Sequence, residues 1–463
     1  MHCTCEGNGN FSSLLGDGFT RRRFMQVAGT GLVASYFADV ASAKLIESAT
    51  AVSPTLHNTA KNCILLFLSG APSHVDTWDL KEGTWTPADF NPTTFGAIRW
   101  PQGLMPNTAN QLDKLAIIRS GLAWAAVHNL AQEWAQIARN PGGATGSIAP
   151  HLGAVVSLES QLKRQLTDIL PGFVSINQVM AGSGYFPAQY APFGVTPSAT
   201  GLAALAHPDG AARLADRWSL LQSIDPDRKP PAGLGRNADD MGTFYGQAKT
   251  LIDSPDVNKL FSYATDEYAR YGSTAFGASL IVARNLVNAR RGTRFVQSTL
   301  GGWDHHSNIY AKTGSSLYNQ MKTFDPAYAA LLADLAGMPG SQAGKTLLDE
   351  TLVVVLGEFG RTVGALNAQQ GRDHFLRMSV VFAGGGVKGN TVIGQTDDKG
   401  ANAVEFGTAA NRDVRPEDVA STIYSAIGID YTTVRHDDPL NRGFEYVPFA
   451  KDGQYGPVNE LFS

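Results

Sequence analysis

The residues best suited to chemistry in this sequence are one aspartate and two histidines that stand directly behind a pair of glycines. The stretch GGWDHH, Gly301 to His306, follows RFVQSTL, an apolar run typical of a buried strand. In an extended segment alternate residues face the same way, so Asp304 and His306 are expected to point together and His305 to point away. A carboxylate and an imidazole on one side of a strand end could belong to a divalent-metal site or to a general acid–base pair.

Similar polar groups follow other apolar runs, in SGAPSHVDTWD, RSGLAWAAVHN, GEFGRT and GRDHF. The side chains that could ligate a metal, transfer a proton or bind an anion there are His74, Asp76 and Asp79; Arg119 and His128; Glu358 and Arg361; and Arg372, Asp373 and His374. Three ionisable residues in a row at a strand end are costly unless they are paired or bound. The groups around Asp304 and His374 are therefore the strongest candidates.

Most of these side chains also have a structural interpretation. Asp76 or Asp79 could cap the turn after the first strand, and His128 could cap a helix. Glu358 could be a buried partner of Arg361.

Asp373 could pair with Arg372 or with Arg361 in a purely structural role. Isolated histidines are expected at the surface or satisfied within the core, and three histidines fit this description: His151, His207 and His436.

The elements that must position these residues are five short runs rich in Val, Ile and Leu and closed by Gly, which fit strands buried on both faces: KNCILLFLSG, KLAIIRSG, TRFVQSTLGG, ETLVVVLGEFG and MSVVFAGGG. Helical spacing of apolar residues covers Ala275 to Ala289, Ser316 to Met338 and Pro416 to Ile429. The alternation predicts a doubly wound α/β fold, with a mainly parallel sheet and helices on both faces. Ligands in such folds bind beyond the carboxyl ends of the strands, where four of the five runs lead into the polar groups.

Composition limits the classes of protein to consider. The 463 residues are 43% hydrophobic and 17% charged, with a formal net charge of −4. This is a globular composition, and no basic stripe is present that would indicate nucleic acid as a partner. We expect residues 44–463 to form a single domain, with a polar helical insertion at about residues 201–271.

The N-terminal segment predicts export. GFTRRRFMQ, Gly18 to Gln26, precedes an apolar stretch and a small-residue cleavage site before Lys44. This order is typical of a twin-arginine signal, so residues 1–43 would be recognised by the twin-arginine export machinery and removed. The remaining chain would keep one cysteine, Cys63, and would be periplasmic or secreted. No apolar run reaches the roughly 20 residues that span a bilayer, so it would not be transmembrane after cleavage.

The motifs LFLSGAPSHVDTWD, LGGWDHH, LVVVLGEFGRT, GRDHF and AGGGVKGNTVIGQTD together resemble domain-of-unknown-function family 1501, or DUF1501, over nearly all of the exported chain. The family is similar to the alkaline-phosphatase and sulfatase superfamily. That resemblance implies an alkaline-phosphatase-like α/β core with divalent metal at the strand ends, used to cleave phosphate or sulfate esters.

Carried over residue by residue, the resemblance implies these metal ligands: Asp304, His306, His374, Glu358 and Asp76. The sequence departs from the superfamily pattern at three places. Phe359 stands where a histidine usually follows, and Ser69 and Gly70 replace the first-strand acid. His128 and Asn129 stand where the superfamily has a hydroxyl or modified cysteine nucleophile. A single-metal site that activates water is as compatible with these residues as a two-metal site.

The sequence therefore predicts an exported metal-dependent hydrolase of small or polymer-borne phosphate or sulfate esters, holding Zn²⁺, Mn²⁺ or Ca²⁺. Arg361 or Arg372 would stabilise the developing anionic oxygens, and His128 would be a nucleophile or an acid–base catalyst. The alternative is a non-catalytic exported binding or assembly protein on a degenerate hydrolase fold.

Overall fold

The structure is a computed structural model that describes residues 53–462, apart from residues 178, 203–204, 206–208, 225–235 and 255. The proposed export signal and His207 lie outside the described residues. Within the described part, no helix is long and apolar enough to cross a bilayer.

Short runs rich in β-branched and apolar residues form the strands. Their bounds are β1 (Asn62–Leu68), β2 (Pro92–Phe95), β3 (Ile98–Pro101), β4 (Leu115–Leu122), β5 (Phe173–Ile176), β6 (Phe193–Val195), β7 (Phe295–Leu300), β8 (Thr351–Leu356), β9 (Gly360–Arg361), β10 (His374–Phe375), β11 (Arg377–Ala383), β12 (Thr391–Ile393), β13 (Gln395–Thr396), β14 (Ala403–Glu405), β15 (Val434–Arg435) and β16 (Phe444–Glu445).

The central sheet has eight strands in the order β12-β4-β11-β8-β1-β7-β5-β6. Every neighbouring pair is parallel except the two pairs made by β11, which runs antiparallel to β4 and to β8. The five runs predicted as strands are β1, β4, β7, β8 and β11, and the mainly parallel sheet is confirmed. β1 lies near the middle and all seven of its residues are buried.

Helices follow the strands along the chain. Their bounds are α1 (His128–Ile137), α2 (Leu152–Ser160), α3 (Gly210–Ile224), α4 (Arg236–Ile252), α5 (Val257–Leu260), α6 (Thr265–Arg270), α7 (Ala275–Ala289), α8 (Leu317–Gly337) and α9 (Pro416–Ile427). The helix predicted over residues 275–289 matches α7 residue for residue. Those predicted over residues 316–338 and 416–429 match α8 and α9 to within two residues.

Two hydrophobic cores lie on opposite faces of the sheet, because alternate residues of a strand point to opposite sides. Ile64 and Leu66 of β1 pack into the core that contains residues of α7 and α8. Cys63 and Leu65 of the same strand pack into the core that contains residues of α1, α2 and α9. The sheet is thus covered on both faces, which confirms the predicted doubly wound α/β class.

The direction of the strands determines where the candidate site lies. Because β1, β4, β7 and β8 run in the same direction, their carboxyl ends meet at one edge of the sheet. The segments after these four strands carry the polar groups found in the sequence.

Candidate metal centre

Four side chains converge at that edge: His128, Asp304, His306 and His374. One ligand atom from each lies within 4.8 Å of the others. His128 is the first residue of α1, and the two members of GGWDHH come from the extended segment after β7. His374 opens β10, whose short antiparallel pairing with β9 places it opposite Arg361.

The extended segment after β7 behaves as its alternation predicts. Asp304 Oδ1 lies 3.0 Å from His306 Nε2, and both side chains are partly open to solvent. His305, between them, is buried, and that burial lowers its pKa to about 4. His305 is therefore a neutral interior histidine, separate from the cluster.

The three histidines share one arrangement, in which Nδ1 faces a group that can only accept a hydrogen bond. Each Nδ1 lies 2.8 Å from its acceptor, and the pairs are His128 with Glu358 Oε1, His306 with Asp373 Oδ1, and His374 with the carbonyl oxygen of Ala126. Since Nδ1 must donate in all three, the neutral imidazoles carry their proton there. Every Nε2 is then left with a lone pair that faces the centre of the cluster.

The distances between these atoms suit a small tetrahedral ion. His306 Nε2 lies 3.0 Å from His374 Nε2, and Asp304 Oδ1 lies 3.4 Å from His128 Nε2 and 3.6 Å from His374 Nε2. Bonds of about 2.0–2.1 Å in a tetrahedral zinc site would separate the ligand atoms by about 3.3 Å. The four side chains therefore need little movement to close around one ion.

No cationic side chain of the described residues lies between the three imidazole Nε2 atoms of the cluster, since Arg361 pairs with Asp304 from the interior. His128 Nε2 is buried and donates or accepts no hydrogen bond with any described residue. Three lone pairs and a carboxylate at this spacing repel one another unless a proton or a cation lies between them. A divalent ion would satisfy all four atoms at once.

Local charges, hydrogen bonds and burial shift the pKa of three of the side chains: Asp304, His128 and His374. Burial acts to raise the pKa of Asp304, but the hydrogen bond and charge of Arg361, together with the nearby histidines, hold this pKa below its usual value. The hydrogen bond to Glu358 raises the pKa of His128, whereas burial lowers the pKa of His374. Asp304 is thus held as a carboxylate, the form that binds a metal.

Glu358 is a supporting group in this arrangement. Its Oε1 accepts hydrogen bonds from the Gly70 amide at 2.9 Å, from Gln132 Nε2 at 2.9 Å and from His128 Nδ1 at 2.8 Å. The side chain is buried behind His128, and Glu358 is not among the four converging residues.

Arg361 is buried and contacts the cluster from the interior. Nη2 donates to Asp304 Oδ1 at 2.6 Å and to the Gly70 carbonyl oxygen, and Nε donates to the Ala71 carbonyl oxygen at 2.9 Å. Nη1 donates to the Arg372 carbonyl oxygen at 3.2 Å. Of the two structural partners considered from sequence for this arginine, Glu358 and Asp373, neither is its ion-pair partner; that partner is Asp304.

Asp76 and Arg372 form a buried pair with each other, apart from the four converging residues. Arg372 Nε donates to Asp76 Oδ2 at 2.7 Å, and Tyr310 donates its hydroxyl proton to Asp76 Oδ1 at 2.7 Å. Arg372 Nη1 donates to the carbonyl oxygens of Thr362 and Gly364, and Nη2 donates to Asp76 Oδ1 at 3.2 Å and to the Tyr310 hydroxyl at 3.1 Å. The structure thus does not bring these two predicted site residues together with the histidines.

Three supporting contacts were not predicted from the sequence: the Asp373 carboxylate on His306, the Ala126 carbonyl oxygen on His374, and Gln132 behind Glu358. Gln132 could have been found, because it lies four residues after His128 and so on the same face of α1. A backbone carbonyl leaves no signal in the sequence. For Asp373, the neighbouring arginines were the more obvious partners.

Comparison with curated proteins gives no match. A family model described as "Protein of unknown function (DUF1501)" matches residues 60–442. The chain belongs to the DUF1501 family. The family predicted from the motifs is thereby confirmed, and the matched region includes all four converging residues.

Several solved structures are similar to this DUF1501 chain in their fold. Ps i-CgsB has 12% identity and a TM-score of 0.41, over 86% of this chain and 77% of that chain. The lipoteichoic acid synthase LtaP from Listeria monocytogenes has 11% identity and a TM-score of 0.39, over 87% and 79%. A protein in the alkaline phosphatase superfamily from Vibrio parahaemolyticus has 10% identity and a TM-score of 0.35, over 82% and 70%.

Proposed function

We propose that this DUF1501 protein is an exported, zinc-dependent hydrolase of phosphate or sulfate esters. The observation that carries the proposal is the convergence of three histidine Nε2 atoms and one carboxylate, with every Nδ1 already committed to an acceptor. Metal-binding histidines commonly have this second hydrogen bond, which fixes the tautomer and the ring.

The ligand set favours zinc among the candidate ions. Imidazole nitrogen suits zinc, whereas calcium takes six or more oxygen ligands and manganese also prefers oxygen. Three protein ligands plus an open position are typical of catalytic zinc, and four of structural zinc. Asp304, partly exposed and shared with Arg361, is the ligand best placed to yield a position to substrate or water.

The proposed reaction depends on the metal and on side chains that hold the metal ligands in place. A zinc ion held there would polarise an ester oxygen and lower the pKa of water at the site. Glu358 and Asp373 hold the rings of His128 and His306, and Arg361 keeps Asp304 ionised and oriented. Because His128 Nε2 faces the other ligand atoms, we assign His128 to metal binding, which leaves water as the nucleophile.

Export is part of the proposal. Residues 1–43 would direct the chain through the twin-arginine pathway, which carries folded proteins, to the periplasm or the exterior. The ligands come from three distant stretches of chain, so they assemble only in the folded protein. Metal loading before export would then be compatible with this route.

The test is metal analysis together with turnover of the full chain, purified from its native compartment. We expect close to one zinc per chain, with hydrolysis of aryl phosphate or aryl sulfate esters. His306→Ala should lose both, whereas His436→Ala, which removes an exposed histidine, should lose neither. Folded protein without metal would overturn the proposal. Bound metal with no turnover of either ester class would favour the non-catalytic binding protein.

A further inference from the structure

The two arginines of the site motifs are poorly placed to bind a substrate anion. Arg361 and Arg372 are both fully buried. Each guanidinium directs its donors at protein carboxylates and carbonyl oxygens, as described above. A substrate at the mouth of the cluster would therefore gain little charge compensation from either one.

Carboxylates occupy the solvent side instead. The side chains of Asp304 and Asp373 are 45% and 55% exposed, and both lie against His306. With Glu358 and Arg361, three carboxylates and one guanidinium contact the cluster, so the chain supplies two net negative charges around neutral histidines. One divalent ion would cancel these two negative charges. No net positive charge would then remain to attract a doubly charged substrate.

Exposed apolar side chains flank two of the four converging histidine and aspartate residues along the chain. The tetrapeptide WAAV, residues 124–127, comes directly before His128, and Trp124 and Val127 are 41% and 62% exposed. Leu376, two residues after His374, is 38% exposed. We call these three side chains the apolar lip.

Two hydrogen bonds join the segments that carry the apolar lip. The Ala123 amide donates to the Leu376 carbonyl oxygen at 3.0 Å, and His374 Nδ1 donates to the Ala126 carbonyl oxygen at 2.8 Å. Glu417 accepts from Trp124 Nε1 at 2.9 Å, and the Arg415 guanidinium lies over the Trp124 ring, 3.9 Å from its centroid. Arg415 Nη1 also donates to the carbonyl oxygens of Leu122 and Ala123, so both residues hold the loop in place. The apolar lip is therefore fixed beside two of the four proposed ligands.

Building on the proposed hydrolase function, we propose that the site selects esters with a single negative charge and an apolar group. Sulfate monoesters and phosphate diesters have this chemistry in common, and phosphate monoester dianions lack it. The second charge of a dianion would face Asp304 and Asp373, whereas Arg361 and Arg372 are buried and the Arg415 guanidinium is stacked on the Trp124 ring beside the Glu417 carboxylate. An additional negative charge about 4 Å from a carboxylate lowers the affinity of a ligand on the order of tenfold. The apolar group would lie on the apolar lip, which buries its hydrocarbon surface.

The first test compares zinc-loaded protein on three esters with one leaving group: para-nitrophenyl sulfate, bis-para-nitrophenyl phosphate and para-nitrophenyl phosphate. We expect kcat/KM for at least one singly charged ester to exceed that for the dianion by at least about tenfold. The singly charged ester with the higher kcat/KM shows whether the site prefers sulfate monoesters or phosphate diesters. A dianion that reacts as well as both others would overturn the charge selection. If no ester reacts, the proposed function fails instead.

A second test measures charge selection without turnover. Calorimetry would give the affinity of benzenesulfonate, a monoanion, and of phenylphosphonate at a pH where it is a dianion. Leu376→Lys should shift the ratio of these affinities about tenfold toward the dianion, because it adds a cation at the apolar lip. Leu440→Lys adds the same charge at a leucine of matched exposure, 39%, outside the site, and should leave the ratio unchanged. An equal shift in both variants, or none in Leu376→Lys, would overturn the inference.

Discussion

Each histidine of the cluster is fixed by a group on its far side, and Glu358 is the most deeply buried of these groups. One of its oxygens accepts three N–H donors, while the other makes no hydrogen bond to any described residue. The carboxylate charge is thus directed at His128 and raises the basicity of that ring. At the residue scale, Glu358 should control how firmly His128 holds a metal.

Glu358→Gln should lower zinc affinity by about 10- to 100-fold, the usual cost of losing a group that orients a metal-binding histidine. The amide keeps an acceptor for His128 but loses the charge. The NH₂ group would replace Oε2, which is buried near Pro416 and apolar residues and makes no hydrogen bond to any described residue. The new donor would therefore be buried without a partner. Competition with a chromogenic chelator measures the affinity directly.

Glu350→Gln is the matched control, because Glu350 immediately precedes β8 and Glu358 follows its other end. Glu350 is also buried and accepts from the Ser341 amide and from Lys61. This substitution should reduce stability and leave zinc affinity unchanged. Equal zinc affinities in wild type and Glu358→Gln would show that Glu358 does not contribute to metal binding.

At the scale of elements, the long apolar strands could be predicted, and the short ones could not. β1, β4, β7, β8 and β11 each have at least six residues, of which at least half are apolar. β5, β6 and β12 have four, three and three residues, too few to distinguish a strand from a loop by pattern. β6 and β12 also lie at the two edges of the sheet, where pairing on one side is sufficient.

The close approach between the end of β1 and the segment after β7 depends on Gly70. Its φ is +110°, which disfavours residues with a side chain, and a Cβ there would lie 2.7 Å from the backbone nitrogens of Trp303 and Asp304. The Gly70 amide also donates to Glu358, and its carbonyl oxygen accepts from Arg361. The glycine therefore aligns two elements that carry the site.

Gly70→Ala should displace the segment that holds Asp304, lowering zinc affinity at least tenfold and stability by more than about 1 kcal/mol. Zinc titration and thermal unfolding of the variant measure the two effects. Gly337→Ala is the control, since Gly337 ends α8 and a Cβ there meets nothing within 4 Å. It should be neutral or slightly stabilising. Unchanged zinc affinity in Gly70→Ala would show that the segment position does not matter to the site.

At the scale of the whole molecule, the sequence could predict that polar strand ends meet, but not which side chains face outward. Asp304, His306 and His374 were predicted as ligands, and all three converge. Asp76 follows a strand in the same way, yet its segment folds into a short buried 3-10 helix, and the carboxylate pairs with Arg372. Only long-range packing decides between these outcomes, because both residues have the same local pattern.

His151 connects three elements across one face of the sheet. Its Nδ1 accepts from the Gly153 amide at the start of α2, and Nε2 donates to Gln297 of β7 at 2.7 Å. The ring stacks on Phe173 of β5. Burial lowers the pKa of His151 to about 3, against an ordinary value of 6.5. Protonation would break the bond from Gly153 and place a charge in the core, so His151 makes the global stability of the chain sensitive to acid.

Between pH 6.5 and about 3 the unfolded chain holds a proton on His151 and the folded chain does not. The free energy of unfolding should therefore fall as pH falls through this window, by on the order of 5 kcal/mol in total from this one group. The contribution is fully present above pH 6.5. His151→Gln should flatten that part of the pH profile, measured by denaturant unfolding at a series of pH values. His436→Gln, at an exposed histidine, should keep the wild-type slope. A His151→Gln profile parallel to wild type would show that acid sensitivity arises elsewhere in the molecule.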